Sequence, residues 1–367
     1  MRLGFVSADF ARHPIGFFYV RAVECLRAEN VETVCYSNRT EKDDYTARFK
    51  AAAHVWRDVR GLSDEALAQQ IRADRIDVLF DLSAHTAENR LLVFARKPAP
   101  IQIAWAGPTG LAAMDYILAD GHLIPAGCES FYREKVLRMP DVYGCYAPDP
   151  EAPQAGPLPA LSTGQVTFGS LNNFAKITPQ VIETWAAILG RLPRSRLVLR
   201  YGTSGFSGDA RRRFVEALAA AGIAADRLEL AGWVPFARRL DLYQTIDVGL
   251  DPFPYSGSTT TCEALWMGVP VITYLGATSY SRGSLPHLVQ AGLAELAACE
   301  RSAYIERAVA LAEDLPRLAA IRAHLRSRMA ASPLCDGPRL AANLMALLRD
   351  AWRQWVASSS ARGAEGQ

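Results

Sequence analysis

One pattern constrains this chain more than any other: short apolar runs alternate with amphipathic stretches, stop at a proline-rich break, and begin again. Before the break, Leu3 to Ser7, Thr33 to Tyr36, Val78 to Leu82, Ile101 to Trp105 and Tyr116 to Ala119 have the continuous apolar character of buried strands. Between them, Phe17 to Arg27, Tyr45 to Ala53 and Asp64 to Ala73 space their apolar residues as helices do. The break is Pro148 to Gly164, rich in proline, glycine and alanine, and it reads as a linker. Beyond it the pattern predicts strands at Val166 to Leu171, Arg196 to Tyr201, Leu228 to Ala231, Asp247 to Leu250 and Val269 to Tyr274. Helices are expected at Pro179 to Gly190, Asp209 to Ala221 and Ala237 to Gln244.

Alternation of this kind requires parallel sheets covered by helices, because each crossover between parallel strands must span the sheet. The expected fold class is therefore α/β, with two doubly wound domains: residues 1–150, then 165–338. A helix over 339–357 is long enough to pack back on the first domain, and the tail 358–367, SSSARGAEGQ, lacks apolar residues and is expected to be disordered. Ligands of such sheets sit at the carboxyl ends of the strands, so two domains of this kind are expected to face one another across a cleft.

Composition narrows the function. Hydrophobic residues make up 50% of the 367 and charged residues 21%, the balance of an ordinary globular protein. A net charge of +2 gives no global bias toward nucleic acid, and Arg211, Arg212 and Arg213 read as one solvated helix face. The seven cysteines are scattered, with no C-x-x-C pair, which argues against a zinc site or a disulfide framework and for a reducing compartment. Neither a signal sequence nor an apolar stretch of ~20 residues is present, so no membrane span is expected and the cytoplasm is the default location. No G-x-G-x-x-G fingerprint supports a dehydrogenase. No two aspartates separated by one residue offer to bridge a metal and a diphosphate, so protein cations and dipoles would have to meet phosphate charge.

The segment 251–270, DPFPYSGSTTTCEALWMGVP, supplies such a site. Asp251 ends a strand, Pro252, Pro254 and Gly257 break it, and Ser258 or Thr259 is placed to cap a helix running through Glu263 and Trp266. A helix N-terminus with clustered hydroxyls binds anions; a capped helix without a ligand is the plainer reading. Four other segments put polar groups after predicted strands. VSADFARHP places His13, a natural proton acceptor near neutral pH, in a loop, unless it merely orders the turn before Pro14. FDLSAHTAENR clusters Asp81, His85, Thr86, Asn89 and Arg90, as ligand contacts or as a capped helix start. PAPIQIAWAGPTG has a turn from Gly107 through Thr109 to Gly110 that lets backbone approach a ligand, or is a simple loop. FGSLNNFAKITP puts Asn172, Asn173 and Lys176 before a helix, where a lysine can hold a diphosphate leaving group; a lone surface lysine is the plainer reading.

With these landmarks in this order, together with MDYILAD and DVGLDPFPYSGSTTTCEALWMGVPVIT, the chain resembles the catalytic region of the O-GlcNAc transferase and SPINDLY family over nearly all of residues 1–345. The resemblance implies a GT-B fold and an inverting, metal-independent transfer of a sugar from a nucleotide diphosphate to a Ser or Thr hydroxyl of a polypeptide. It implies UDP-GlcNAc as the donor substrate and no cofactor. By matched motifs, His13 corresponds to the histidine proposed as proton acceptor, and Asn173 and Lys176 to the donor-binding polar residue and the diphosphate lysine. Ser258, Thr259 and Thr260 correspond to the phosphate-binding helix start, and Glu263 to its ribose contact. The segment 233–242, with Val234, Phe236 and Arg239, aligns with the loop beside the nucleotide base, while His85, Thr86, Asn89, Gly107 and Thr109 would face the substrate.

Two departures leave alternatives open. Animal members have histidines where Arg239 and Ser258 stand, and the first of these packs on uracil. The GSTTTCEALWMGVP form is closer to bacterial and plant SPINDLY-like members, some of which use GDP-fucose, so a GDP or TDP donor stays open. A tetratricopeptide superhelix generally precedes this region in the family, and here residue 1 almost begins the first strand. Acceptor recognition by a separate partner chain, or a glycan or small-molecule acceptor, is therefore an alternative, as are a sugar-nucleotide epimerase and an inactive nucleotide-sugar binding protein.

Overall fold

The computed structural model describes residues 1–105, 107–200, 208–232 and 234–365. The chain divides into two compact units, Met1–Ala147 with Pro333–Gln367, and Pro148–Ser332.

The first unit is built on strands β1 (Arg2–Ser7), β2 (Glu32–Ser37), β3 (Val55–Asp58), β4 (Val78–Asp81), β5 (Ile101–Ala104), β6 (Tyr116–Asp120) and β7 (Lys135–Met139). They form one sheet in the order β3-β2-β1-β4-β5-β6-β7, parallel throughout. Helices α1 (Pro14–Leu26), α2 (Asp44–Ala52), α3 (Asp64–Ala73) and α4 (Leu91–Ala95) make the crossovers. The alternation in the sequence did not reveal β3 or β7. Both lie at sheet edges, where one side of the strand is open, and their polar residues (VWRD and KVLRM) are half-buried or exposed.

The second unit repeats the plan. Strands β8 (Thr167–Ser170), β9 (Arg196–Arg200), β10 (Leu228–Ala231), β11 (Val248–Leu250), β12 (Val271–Tyr274) and β13 (Ala297–Ala298) pair in the order β10-β9-β8-β11-β12-β13. Around them lie α5 (Pro159–Thr163), α6 (Pro179–Arg191), α7 (Gly208–Ala220), α8 (Thr259–Trp266), α9 (Leu285–Gln290), α10 (Arg301–Glu313) and α11 (Leu315–Ala330). The helix expected over Ala237 to Gln244 is instead two 3-10 segments, Phe236–Arg238 and Asp241–Thr245. Guanidinium groups also bond carbonyls of this stretch: Arg239 Nη1 donates to Phe236 O at 3.2 Å, Arg200 Nη1 to Arg239 O at 3.0 Å and Arg322 Nη2 to Tyr243 O at 3.3 Å.

Residues 148–164, expected to be a linker, belong to the second unit. Their polar backbone is tied to it: Arg322 Nε donates to Gly156 O at 2.9 Å, Arg326 Nη2 to Pro153 O at 2.5 Å, and Ala160 N to Asp247 Oδ1 at 2.9 Å. The last helix, α12 (Gly337–Glu365), returns to the first unit. Leu340, Ala341, Leu344, Met345, Leu348 and Ala351 are its buried stripe, and Arg339 forks onto Asp141 with two bonds of 2.7 Å. This helix runs on through Glu365, into the tail whose composition predicts disorder. Extending an existing helix needs no new nucleation, and Ala361, Arg362, Ala364 and Glu365 are residue types that favour the helical state. Residues 366 and 367 and Tyr201, the expected end of β9, lie outside the described residues.

Sheet order fixes where ligands can sit. In each unit the first strand, β1 or β8, has its second neighbour on one side and its fourth on the other, so successive crossovers diverge there. This is the topological switch point, where loops leaving two adjacent carboxyl ends open a crevice.

Candidate functional site

At the switch point of the second unit, the loop after β8 and the loop after β11 converge on one oxygen. Asn172 Oδ1 accepts from Lys176 Nζ at 3.3 Å and from Thr260 Oγ1 at 3.1 Å. Lys176 Nζ also donates to Ser256 O at 2.9 Å and lies 4.2 Å from the centre of the Tyr255 ring. Burial pulls this ammonium down from 10.5 to about 8, against the opposing pull of the Asp251 carboxylate. A lysine held this way is a cation already stripped of much of its water and aimed at the start of α8.

Asp251 organises that start. Its Oδ1 accepts from Gly257 N at 2.6 Å, and its Oδ2 from Thr273 Oγ1 at 2.7 Å and Ser284 Oγ at 2.6 Å. Burial raises its pKa, and these three donors with Lys176 oppose the rise. The turn requires glycine at 257, because a Cβ there would lie 2.6 Å from Thr261 Oγ1, 2.8 Å from Thr260 Oγ1 and 2.9 Å from Asp251 Oδ1. Ser258 occupies the N-cap position, but its hydroxyl makes no capping bond; it pairs with His287 Nε2 at 3.0 Å. Thr261 Oγ1 pairs with Ser284 Oγ at 2.7 Å, and Tyr243 OH donates to Thr260 O at 3.0 Å. With the Ser258, Thr260 and Thr261 hydroxyls bonded to His287, Asn172 and Ser284, the first-turn N–H groups of α8 are not capped by Ser258, and they carry the positive end of the helix dipole.

One turn into α8, Glu263 is 4% exposed and takes a 3.0 Å bond from Arg239 Nε, while Arg239 Nη1 reaches Asp149 Oδ2 at 2.8 Å. The guanidinium lies 3.8 Å over the Phe236 ring. Burial raises the Glu263 pKa, with Arg239 and Arg200 opposing. Arg239 thus links Glu263 to the 234–242 segment; Trp233, which opens that segment, lies outside the described residues.

The structure sorts the expected residues of this unit. Lys176 and Thr260 meet at Asn172, Ser258 pairs with His287 at the N-cap of α8, Thr259 opens that helix, and Glu263 pairs with Arg239 one turn further on. Asn173 joins none of these contacts: it is exposed and its side chain accepts from Ala175 N at 3.0 Å, capping the 3-10 turn Phe174–Lys176. Its neighbour Asn172, 7% exposed, is the pivot. Adjacent asparagines give sequence reasoning no means of choosing between them; only the direction of the chain leaving β8 does. His287 and Ser284 were also not legible, because nothing in SLPHLVQ marks a histidine that packs under a cradle.

In the first unit, the loops after β1 and β4 meet at the corresponding switch point. Ser7 Oγ and Ser83 Oγ are 3.4 Å apart, and the buried Asp81 carboxylate accepts from Ser83 N at 3.2 Å and Ala84 N at 2.9 Å. Burial pushes Asp81 up to about 6. His13 stands at the N-cap position of α1, held there by a turn in which Gly16 is indispensable: a Cβ would lie 1.9 Å from Ala11 O. Its Nδ1 is 3.4 Å from Ile15 N and 3.7 Å from Asp9 Oδ1. Burial and Arg39 lower the His13 pKa and Asp9 opposes them, so the ring is mainly neutral at pH 7. Asp9 Oδ2 is buried without a hydrogen bond. Of the other expected residues, His85 Nε2 lies 3.1 Å from Thr109 O, which joins the two loops. Thr109 is buried and, with Gly110 N, is gathered on Glu134 Oε1 at 2.6–2.8 Å. Thr86 and Asn89 are engaged locally, with Ser83 O and Thr86 O. Gly107 has a φ of 150°.

Two all-parallel sheets, each presenting polar loops at its switch point, are the GT-B arrangement of Rossmann-like units, and solved structures agree. The Anabaena HepE protein in complex with UDP-glucose superposes with a TM-score of 0.60 over 95% of this chain and all (100%) of that one, at 12% identity. The model of glycosyl transferase family 41 matches residues 1–146 and 158–344, and the chain belongs to that family.

Among its relatives is a protein of Arabidopsis thaliana named as a probable UDP-N-acetylglucosamine–peptide N-acetylglucosaminyltransferase, SPINDLY, 38% identical over 362 residues, 96% of this chain and 39% of the relative. The Arabidopsis protein SEC, named for the same probable activity, is 30% identical over 94% of this chain and 36% of its own length. A mutant of the Thermobaculum terrenum O-GlcNAc transferase has a TM-score of 0.91 at 40% identity, covering 98% of this chain and 69% of that one. The chain thus spans about two fifths of the curated plant relatives (39%) that it matches. Among the described residues, no helix is long and apolar enough to cross a membrane.

Proposed function

We propose that this chain transfers N-acetylglucosamine from UDP-GlcNAc to a serine or threonine hydroxyl of a polypeptide, with inversion at the anomeric carbon and without a bound metal. The observation that carries the reading is the convergence of Lys176, Thr260 and the start of α8 on Asn172 at a topological switch point. That is where a diphosphate finds both a cation and the N–H groups of a helix start. The names of the relatives, which specify a UDP-GlcNAc donor and a peptide acceptor, support the choice of substrates.

In the proposed reaction the acceptor oxygen bonds to the anomeric carbon as the bond from that carbon to the diphosphate oxygen breaks. The electron pair leaves with the diphosphate, where Lys176 and the α8 N-terminus take up the growing charge. Preorganised groups of this kind are worth about 2.7–4 kcal/mol each in the barrier. The hydroxyl proton goes to His13, whose neutral ring at pH 7 suits an acceptor. Glu263 and Arg239 would hold the nucleoside, Glu263 by accepting from ribose hydroxyls.

Thermal-shift titration of the purified protein with UDP, GDP, TDP and their common sugars tests the reading. The expected result is a midpoint rise with UDP and UDP-GlcNAc that is lost in Lys176→Ala, which also loses transfer while keeping its fold. A selective GDP response would move the assignment to a guanosine-linked sugar such as fucose. No response to any nucleotide at millimolar concentration would remove the glycosyltransferase reading.

A further inference from the structure

A neutral imidazole carries a single ring N–H, so a histidine can accept a proton at Nε2 only when Nδ1 holds that hydrogen. His13 meets two groups that make opposite demands on Nδ1. As the N-cap of α1 it accepts from Ile15 N at 3.4 Å, which puts the ring proton on Nε2 and leaves no lone pair there for an acceptor hydroxyl. Asp9 Oδ1 lies 3.7 Å from the same atom. A carboxylate oxygen can only accept, so a bond to it would hold the proton on Nδ1 and free Nε2. Both contacts are longer than the about 2.7–3.2 Å of a well-formed N–H bond.

The surroundings favour Asp9. Its Oδ2 is buried, and among the described residues no hydrogen-bond donor reaches it; the buried Nε of Arg39 likewise meets no acceptor. The backbone carrying the carboxylate is fixed, since Asp9 N donates to Ser7 Oγ at 2.9 Å, Ala11 N to Asp9 O at 2.8 Å and His13 N to Ala11 O at 2.7 Å. What the carboxylate lacks is therefore a side-chain donor. Burial raises the Asp9 pKa, and His13 and Arg39 oppose the rise. Arg12, in the same turn, is turned instead to Asp44 Oδ1, which its Nε reaches at 2.5 Å. An N–H bond to an ionised carboxylate is roughly twice as strong as one between neutral partners, and the cap bond to Ile15 is of the neutral kind.

We propose that Asp9 is the positioning residue of His13: it takes the Nδ1 proton in a hydrogen bond and so leaves the Nε2 lone pair to the acceptor hydroxyl. The proposal rests on reading His13 as the proton acceptor. As the acceptor oxygen attacks, its O–H bond breaks and an Nε2–H bond forms; the Nδ1 proton stays on the ring, and Asp9 faces the imidazolium charge.

Nitrogen-15 NMR of the full chain labelled at histidine tests this, because the shifts of the two ring nitrogens report which one carries the proton. His13→Gln identifies the His13 signals by their loss. At a pH where the ring is neutral, the wild type is expected to carry the proton on Nδ1, and Asp9→Asn, whose amide can donate to Nδ1, on Nε2. Asp9→Asn should also lower kcat for transfer about 10²–10⁴-fold, the range of general-base catalysis, with UDP affinity unchanged, and Asp9→Glu should recover part of the loss. A wild-type His13 protonated on Nε2, as the cap bond alone would have it, would overturn the proposal, as would one tautomer shared by the wild type and Asp9→Asn. Full transfer by His13→Gln would instead remove His13 as the proton acceptor, and with it the role of Asp9, whichever tautomer is found.

Discussion

Lys176 gives the sharpest test of the cradle, because its environment ties ligand affinity to pH. The ammonium sits at about 8 instead of 10.5, a displacement that corresponds to about 3 kcal/mol of lost solvation not made good by Asp251. A bound diphosphate would supply the missing counter-charge and return the lysine to its charged state throughout the neutral and mildly alkaline range. Binding and protonation are then linked. At pH 7 the free site is mostly charged and affinity is highest; at pH 9 roughly one site in eleven is, so UDP should bind roughly tenfold more weakly. At pH 8, binding should take up about half a proton per site. Calorimetry in two buffers of different ionisation enthalpy measures that uptake directly. The unliganded protein should move oppositely: between pH 8 and 10.5 the unfolded chain holds a proton that the folded one does not, so this lysine makes stability rise through that window. Lys176→Met should bind UDP weakly at every pH, with no slope and no uptake at pH 8. A wild-type affinity that is flat from pH 7 to 9, with no proton uptake, would refute both the placement of Lys176 on the phosphates and the account of its buried charge.

Three further outcomes follow from particular contacts. Gly257→Ala places a methyl group against Thr260, Thr261 and Asp251, and should cost about 1–3 kcal/mol in urea unfolding and weaken UDP binding; normal UDP affinity in a stable variant would mean that the turn is not the cradle. Arg239→Ala leaves Glu263 and Asp149 without their shared cation, an expected loss of about 3–5 kcal/mol, partly recovered in the double variant with Glu263→Gln; no recovery would deny the coupling. His287, buried under Ser258, is held down to about 3, so the unfolded chain gains a proton below pH 6.5 that the folded chain refuses. Stability should fall as pH drops from 6.5 toward 3, and His287→Gln should flatten that slope by up to about 1.4 kcal/mol per pH unit; identical slopes would contradict the burial argument.

The doubly wound architecture is written into the chain, because buried parallel strands and the helices that cross between them leave different periodicities in it. So is the placement of polar groups after β1, β4, β8 and β11, since each such group stands directly after an apolar run. Lys176 and His13 lie in the loops that follow β8 and β1, and Thr260 and Glu263 in the helix that follows the loop after β11. Edge strands β3 and β7 were not legible, because an open edge tolerates polar residues and erases the apolar signal. The proline-rich segment 148–164 misled for a related reason: prolines reveal where a chain lacks N–H donors, not which carbonyls distant arginines such as Arg322 and Arg326 will satisfy. Long-range packing, in contrast, turns Asn172 and not Asn173 inward, gives the Ser258 hydroxyl to His287 instead of its own helix, and clamps Arg239 between Glu263 and Asp149. Each of these depends on which groups from remote parts of the chain meet at a single point. Spacing along a sequence encodes the direction of a side chain relative to its own element, whereas hydrogen-bond partners are chosen by how elements pack.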